Sequence, residues 1–286
     1  LTDRSSPADP RTAIPLDAIC QHLAQIAPLR LAESWDNVGL LVGERSRLVS
    51  RVMTCLTITP AVVNEAVERQ VGLVVAHHPL PFKPLAKITS DTVTGRMLLG
   101  LIAGGVAVYS AHTAFDSAAG GINATWAQEL ELRDIAPLVV DAAAEDPSIG
   151  SGRYGRLSEP FSTASLAAAA AAIAGSGQCR IVGNRPAISK VAIACGSGGS
   201  FLSAASARGC DALITGEATF HTCLEAEALG IALILVGHYG SERFAMERLA
   251  VLLAERLRRD RVELDVFTSC ADVDPLRLML TNPEER

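Results

Sequence analysis

Five of the six histidines in this 286-residue chain, His77, His78, His112, His221 and His238, fall where a short apolar run stops or a helical pattern begins. His77 and His78 are adjacent, so on a regular strand they would point to opposite faces. Both can turn toward one centre only where the strand ends, and Pro79 helps to end it; one packed and one exposed ring is the commoner fate of such a pair. His238 and Glu242 stand one helical turn apart at the start of a helical pattern, share a face, and can chelate one ion or bridge two, although this spacing also arises often by chance. The turn His112-Thr113-Ala114-Phe115-Asp116 supplies a carboxylate after a buried run, in a place where an aspartate more often caps a turn. Three imidazoles and two carboxylates form a borderline-to-hard ligand set suited to zinc, iron, manganese or cobalt, and the lack of nearby cysteines argues against a structural thiolate site. His22, by contrast, lies mid-helix away from the Ile19-Leu23-Ile26 stripe and reads as solvent-exposed.

The elements that must position these residues alternate along the chain. Helical spacing runs from Pro15 to Pro28, followed by an extended Val52–Ile58, a helix over Pro60–Gln70 and a short buried strand Leu73–Ala76, which make a βαβ unit. A helix around Thr92–Ala103, a strand Val106–Tyr109 and a helix from Ile122 to about Leu130 continue the pattern. Residues 131–160 carry Pro137, Asp146-Pro147 and the glycines between Gly150 and Gly155, the best candidate for a connection between halves. Beyond it come an alanine-rich helix (Thr163–Ala174), strands Lys190–Ala194 and Ala212–Ile214, a helix from Phe220, a strand Ile231–Val236, a long helix Ser241–Arg258 and a strand Val262–Phe267. Such alternation predicts an α/β fold with a mostly parallel sheet and helices on both faces, whose ligands bind at the carboxyl ends of the strands. The expected division is a first half over 14–135, a connecting segment over 136–160, a second half over 161–270 and a tail over 271–286.

Two further segments have competing readings. Trp35-Asp36-Asn37 could line a cleft or plug a tight turn. Gly196-Ser197-Gly198-Gly199-Ser200 could cradle a phosphate with backbone N–H groups, but lacks a P-loop lysine and a dinucleotide fingerprint, so a plain strand-to-helix turn serves equally.

Composition bounds the class of protein. A hydrophobic content of 49% with 20% charged residues belongs to a globule with its own core. With 25 basic against 31 acidic residues, the net charge of −6 has the wrong sign for a nucleic-acid partner. Seven scattered cysteines without a C-x-x-C pair indicate neither a disulfide framework nor a zinc knuckle and fit a reducing, cytoplasmic setting. The polar start Leu1–Arg11 lacks the layout of a signal peptide, and no apolar run approaches the roughly 18 to 20 residues that span a bilayer.

The motifs taken in order, Ala32-Glu33-Ser34-Trp35-Asp36-Asn37-Val38-Gly39-Leu40, Ala76-His77-His78-Pro79, Ser110 to Asp116 with Gly120-Gly121-Ile122-Asn123, Thr215-Gly216-Glu217 with His221, and Gly237 to Glu242, are similar to those of the Nif-three-like family, also called GTP cyclohydrolase I type 2 proteins. The resemblance implies two divalent ions per subunit held by His77, His78, Asp116, His238 and Glu242, with His112 and His221 beside them to orient a ligand or move a proton. It also implies two similar, intertwined α/β/α halves with mixed, mostly parallel sheets, and a ring-shaped homohexamer. The activity implied is that of a metal-dependent hydrolase acting on a small molecule; the alternative is a metal-binding, trafficking or regulatory protein without turnover. Three departures stand out: Phe220 occupies the first of two positions where the family usually has paired histidines, Thr57 stands where many members have Asp, and the long middle domain of some members is missing.

Overall fold

The computed structural model describes residues 13–141, 146 and 148–277. The polar start read over Leu1–Arg11 and the last nine residues of the tail lie outside them. Helix α1 (Leu16–Ile26) leads to β1 (Gly39–Val42), β2 (Arg51–Cys55), α2 (Pro60–Glu68), β3 (Leu73–Ala76), α3 (Val93–Ala103), β4 (Ala107–Ser110), α4 (His112–Ser117) and α5 (Ile122–Glu129). Next come β5 (Arg133–Ala136), β6 (Arg153–Phe161), α6 (Thr163–Ile173), β7 (Arg180–Val182), β8 (Ile188–Ala194), α7 (Leu202–Ala207), β9 (Ala212–Thr215), α8 (Phe220–Leu229), β10 (Ala232–Leu235), α9 (His238–Glu242), α10 (Ala245–Arg259) and β11 (Asp265–Thr268). One sheet has the order β11-β2-β3-β4-β1, parallel except for β1; the other runs β7-β10-β9-β8-β6-β5, parallel only through β8, β9 and β10. This is the α/β arrangement with mixed, mostly parallel sheets that the family resemblance implied.

The strands are apolar on both faces because each sheet is covered twice. In β3, Leu73 and Val75 enter one core while Val74 and Ala76 enter another; in β9, Ala212 and Ile214 part from Leu213 in the same way. The inner faces of both sheets share a single core with α1, α5, α6 and α10, whereas α2 and α3 cover the outside of the first sheet and α7 and α8 the outside of the second. Helix α10 buries Met246, Leu249, Leu253 and Leu257 along one stripe. At about 1.5–3 kcal/mol for each fully buried large apolar side chain, that stripe outweighs anything its exposed arginines contribute to its placement.

The sheets correct the expected boundaries. The segment 136–160 is no mere connection, since it contains most of β6, which pairs with both β5 and β8. β5, read into the first half, is an edge strand of the second sheet. β11, read into the second half, pairs in parallel with β2, Asp265 opposite Arg51. Helix α10 crosses back with it and packs against β2 and α1. The long helix read from Ser241 is two pieces, α9 and α10, separated at Arg243 and Phe244. Among the described residues no helix is long and apolar enough to cross a membrane.

Candidate metal centre

In both sheets a parallel ladder overshoots its last strand residue and delivers a ligand. Past β3, the N–H of His77 donates to Cys55 O (3.0 Å) and that of His78 to Leu56 O (2.9 Å); Ser110 Oγ donates to His77 O at 2.7 Å. Past β10, the N–H of Val236 donates to Thr215 O (3.1 Å) and that of Gly237 to Gly216 O (3.0 Å), after which α9 opens at His238. Gly237 takes φ +86, a left-handed turn that a side chain would resist, and so swings His238 over the end of the sheet. Helix α4 starts directly after β4 and carries Asp116.

Three of the expected ligands, His77, His78 and His238, gather around Glu242, and Asp116 joins them through His77. His78 Nε2 and His238 Nε2 lie 3.1 and 3.2 Å from Glu242 Oε2, and 3.4 Å from each other. His77 Nε2 is 3.9 Å from Glu242 Oε1 and 3.6 Å from Asp116 Oδ1. Two candidate metal-holding sets emerge, His78–His238–Glu242 and His77–His78–His112.

The donor chemistry fits a cation. His77 is fully buried, yet neither of its ring nitrogens has a hydrogen-bond partner. Unsatisfied buried polar atoms are costly unless something completes them. Burial pushes the His77 imidazole well below its usual range, which leaves a neutral ring with a free lone pair. Burial, reinforced by the negative charge of Glu242, pushes Asp116 up to about 7: the cluster crowds two carboxylates with too little positive charge of its own. Burial would also raise Glu242, but His238 and His78 overcome it and hold its carboxyl far below the carboxylate range. The Glu242 carboxylate in turn raises His238 to about 9 against the effect of burial.

Around these atoms stand residues that fix them. Thr57 Oγ1 is 2.7 Å from His78 Nδ1, so the threonine that departs from the family pattern still orients the ring. Glu217 Oε1 lies 2.6 Å from His238 Nδ1 and accepts from Ser197 Oγ at 2.9 Å. Cys195 Sγ donates to Asp116 Oδ1 at 3.3 Å, and burial keeps this thiol protonated. Asp36 meets His112 Nδ1 at 2.7 Å and accepts from the N–H of Thr113 at 3.1 Å. Burial alone would raise Asp36; the bond to His112 brings it down to about 2 and raises His112 against the opposite pull of burial.

His112 therefore stands beside the cluster as expected. His221 is exposed on the first turn of α8, packs on Phe220, itself 72% exposed, and is not among the residues that wall the cleft. His22 is not exposed but half-buried, 3.4 Å from Asp260. The glycine-rich turn at Gly196–Ser200 runs into a short 3-10 turn and then α7, and Gly196 presses on Glu242: a methyl there would stand inside van der Waals contact of Glu242 Oε1. Sequence reasoning missed Glu217, Asp36 and Cys195 as partners of His238, His112 and Asp116. Asp36 and Glu217 lay inside family-like motifs without an assigned role, and the only signal of Cys195 was its position directly after a strand.

The cluster floors a cleft of about 680 Å³ walled by Trp35, Phe82, His112, Ser197 and Phe201. Trp35 and Phe82 are 61% and 50% exposed, and their ring centroids are 6.1 Å apart. Trp35 thus lines the cleft and is no buried plug.

Fold and site together define a two-sheet α/β protein with a histidine–carboxylate cluster of metal-ligand type where the strands of both sheets end. The sequence matches the family model described as Duf34/NIF3 (NGG1p interacting factor 3) over residues 14–275. The chain belongs to the NIF3 family. It is 33% identical over 258 residues, 90% of this chain and 97% of the relative, to a GTP cyclohydrolase 1 type 2 homolog of Clostridium perfringens. It is 34% identical over 273 residues to NIF3-like protein 1 of Drosophila melanogaster, covering 91% of this chain and 88% of that one. The crystal structure of a Staphylococcus aureus hypothetical protein superposes with a TM-score of 0.86 at 26% identity, over 94% of this chain and all of the other.

Proposed function

We propose that this protein binds two divalent metal ions per subunit through His77, His78, Asp116, His238 and Glu242, and that it is a metal-dependent hydrolase. The observation that carries the reading is the pair of unpartnered nitrogens on buried His77, one of them facing two carboxylates across less than 4 Å. Nitrogen and oxygen donors without thiolate suit zinc, iron, manganese or cobalt. When bound, such ions supply Lewis-acid activation of a water and of a substrate oxygen at neutral pH.

The chain's own residues do the rest. Glu217 accepts from Nδ1 of His238, which leaves Nε2 of that ring as the nitrogen free to hold an ion, and Thr57 Oγ1 meets Nδ1 of His78 and orients its ring so that Nε2 faces Glu242. Asp36 holds the Nδ1 side of His112, so that Nε2 is the nitrogen available to hold or move a proton at the cleft floor. Trp35, Phe82 and Phe201 give the cleft apolar walls that exclude water from one side of a bound molecule. The name of the Clostridium perfringens relative makes GTP the first compound to try. A homo-oligomer, a hexamer by the family resemblance, is part of the same proposal; exposed Val93, Leu99 and Ile102 on α3 offer apolar surface for it.

The test is metal analysis of protein purified without added metal, joined to a hydrolysis screen over nucleotides, phosphoesters and cyclic amides. Two ions per subunit and turnover in the parent are expected, with most metal and all turnover gone from the His77→Ala/His78→Ala double variant while the fold persists. Two ions without turnover on any class would assign a metal-holding protein instead, and unchanged metal in the double variant would reject the ligand set.

A further inference from the structure

Arg153, the first residue of β6, is 2% exposed and forms no ion pair among the described residues. An isolated guanidinium is among the costliest groups to bury, so the contacts that hold it there are informative. All four are backbone carbonyls. Nη1 donates to Gly150 O (2.6 Å) and Gly152 O (2.7 Å), and Nη2 donates to Ser117 O (3.1 Å) and Ala118 O (2.9 Å). The planar fork thereby ties the loop before β6 to the last carbonyls of α4, the residues directly after Asp116. Its positive charge sits where the helix dipole is negative. Burial lowers its pKa to about 10, which still leaves the cation intact at neutral pH.

The same strand pairing reaches Asp116 from its other end. Arg153 is in register with Ile193 of β8, two residues before Cys195, whose thiol donates to Asp116 Oδ1. The loop fits closely enough to aim its carbonyls: Gly152 has φ +62, and a Cβ there would come within 2.9 Å of Ile193 O. Asn123 completes the frame, with Nδ2 donating to Asp116 O at 3.2 Å and Oδ1 accepting from the N–H of Cys195 at 2.9 Å.

We infer that Arg153 is a positioning residue for the metal centre: it clamps the end of α4 onto the second sheet and so fixes the Asp116 carboxylate as a ligand. This rests on the two-metal reading above. A lysine keeps the charge but, as a single ammonium on a flexible stem, cannot span both pairs of carbonyls.

Cobalt(II) titration of the metal-free protein, followed by its visible absorption, tests the inference. The parent is expected to take up two ions. Arg153→Lys should keep one at parental affinity and bind the other at least tenfold more weakly, with an altered spectrum. Asp116→Asn should weaken that same ion, and the double variant should lose no more than Asp116→Asn alone, because both changes act through one carboxylate. A merely structural arginine would lower the melting temperature and add its own loss to that of Asp116→Asn; either that additivity or unchanged cobalt binding in Arg153→Lys overturns the inference alone. A parent that takes up no cobalt overturns the two-metal reading and this inference with it. Hydrogen exchange of the parent asks the same question without a substitution: on cobalt binding, amides 117–121 and 150–153 should gain protection together, and protection of one segment without the other would overturn the clamp.

Discussion

Replacing Gly196 by alanine perturbs the centre from outside its ligand set, and the structure gives two separable costs. The backbone there has φ +61, a left-handed conformation that costs a residue with a Cβ roughly 1–2 kcal/mol. The new methyl would also overlap Glu242 Oε1 and stand 3.4 Å from His238 Nε2. Glu242 is buried and held by His78 and His238, so the carboxylate gives way by a shift on the order of 1 Å, several times the roughly 0.2 Å tolerance of a metal–ligand distance. Gly209 separates the two effects: it has φ +65 and nothing within 4 Å of where its Cβ would be, so Gly209→Ala should show the backbone cost alone. For a chain of this size, 1–2 kcal/mol lowers the melting temperature by about 2–8 °C. Both variants should show that drop in the metal-free state. Only Gly196→Ala should also weaken zinc binding, by at least tenfold in a competition titration with a chromogenic chelator, equivalent to about 1.4 kcal/mol or more. Parental zinc affinity in Gly196→Ala would refute the argument that this turn sets the position of Glu242.

Glu242→Gln, which keeps shape and removes charge, is expected to lose at least one ion and to be worse than the loss of any single histidine; retention of both ions at parental affinity, read by metal analysis after dialysis, would make Glu242 a mere neighbour of the centre. The stability of the C-terminal return should depend on pH through Glu65: burial alone would raise its pKa, but bonds from Ser269, Ala271, Cys270 and Arg69 lower it below 4.5. A carboxylate depressed in the folded state stabilises above its unfolded value and loses that contribution as pH falls through its folded value, so the stability gap between parent and Glu65→Gln should be widest near neutrality and close as the pH falls through that lowered folded value in urea melts. For assembly, light scattering at micromolar concentration should give a mass well above the 30.0 kDa of one chain, and a stable monomer would remove the oligomer from the proposal.

The candidate ligands were legible because they sit at strand ends or on the short helices that follow, which the sequence marks in part, as with Pro79 after His77-His78 or the helical spacing of His238 and Glu242, and because the family resemblance gathers them into one set. Strand alternation likewise predicted an α/β fold with a mostly parallel sheet, while its division into two halves came from the family resemblance. What stayed hidden depends on pairing between distant segments. Nothing local in residues 265–268 says that they lie beside residues 51–54, because a parallel strand carries no turn that names its partner. β6 hid for a related reason: its one glycine and proline, with the two glycines just before it, read as a linker, while the ladder that makes it a strand comes from β5 and β8. Glu217, Asp36 and Cys195 belong to other segments than His238, His112 and Asp116, the side chains they hold, so their roles exist only after folding. His221, which the resemblance puts beside the metals, is exposed on α8 and is not among the residues that wall the cleft.

The return of α10 and β11 to the first sheet has a consequence for biosynthesis. As the chain leaves the ribosome, β2 has β3 on one side and nothing on the other until residues 265–268 emerge, more than two hundred positions later. During that interval a nascent chain carries an open hydrogen-bonding edge beside a bare apolar face that awaits Leu249, Leu253 and Leu257. The first half cannot mature before the second, and translation that stops within the second sheet yields a species prone to edge-to-edge association. Chaperone engagement of stalled chains should therefore persist until the last strand is free of the exit tunnel.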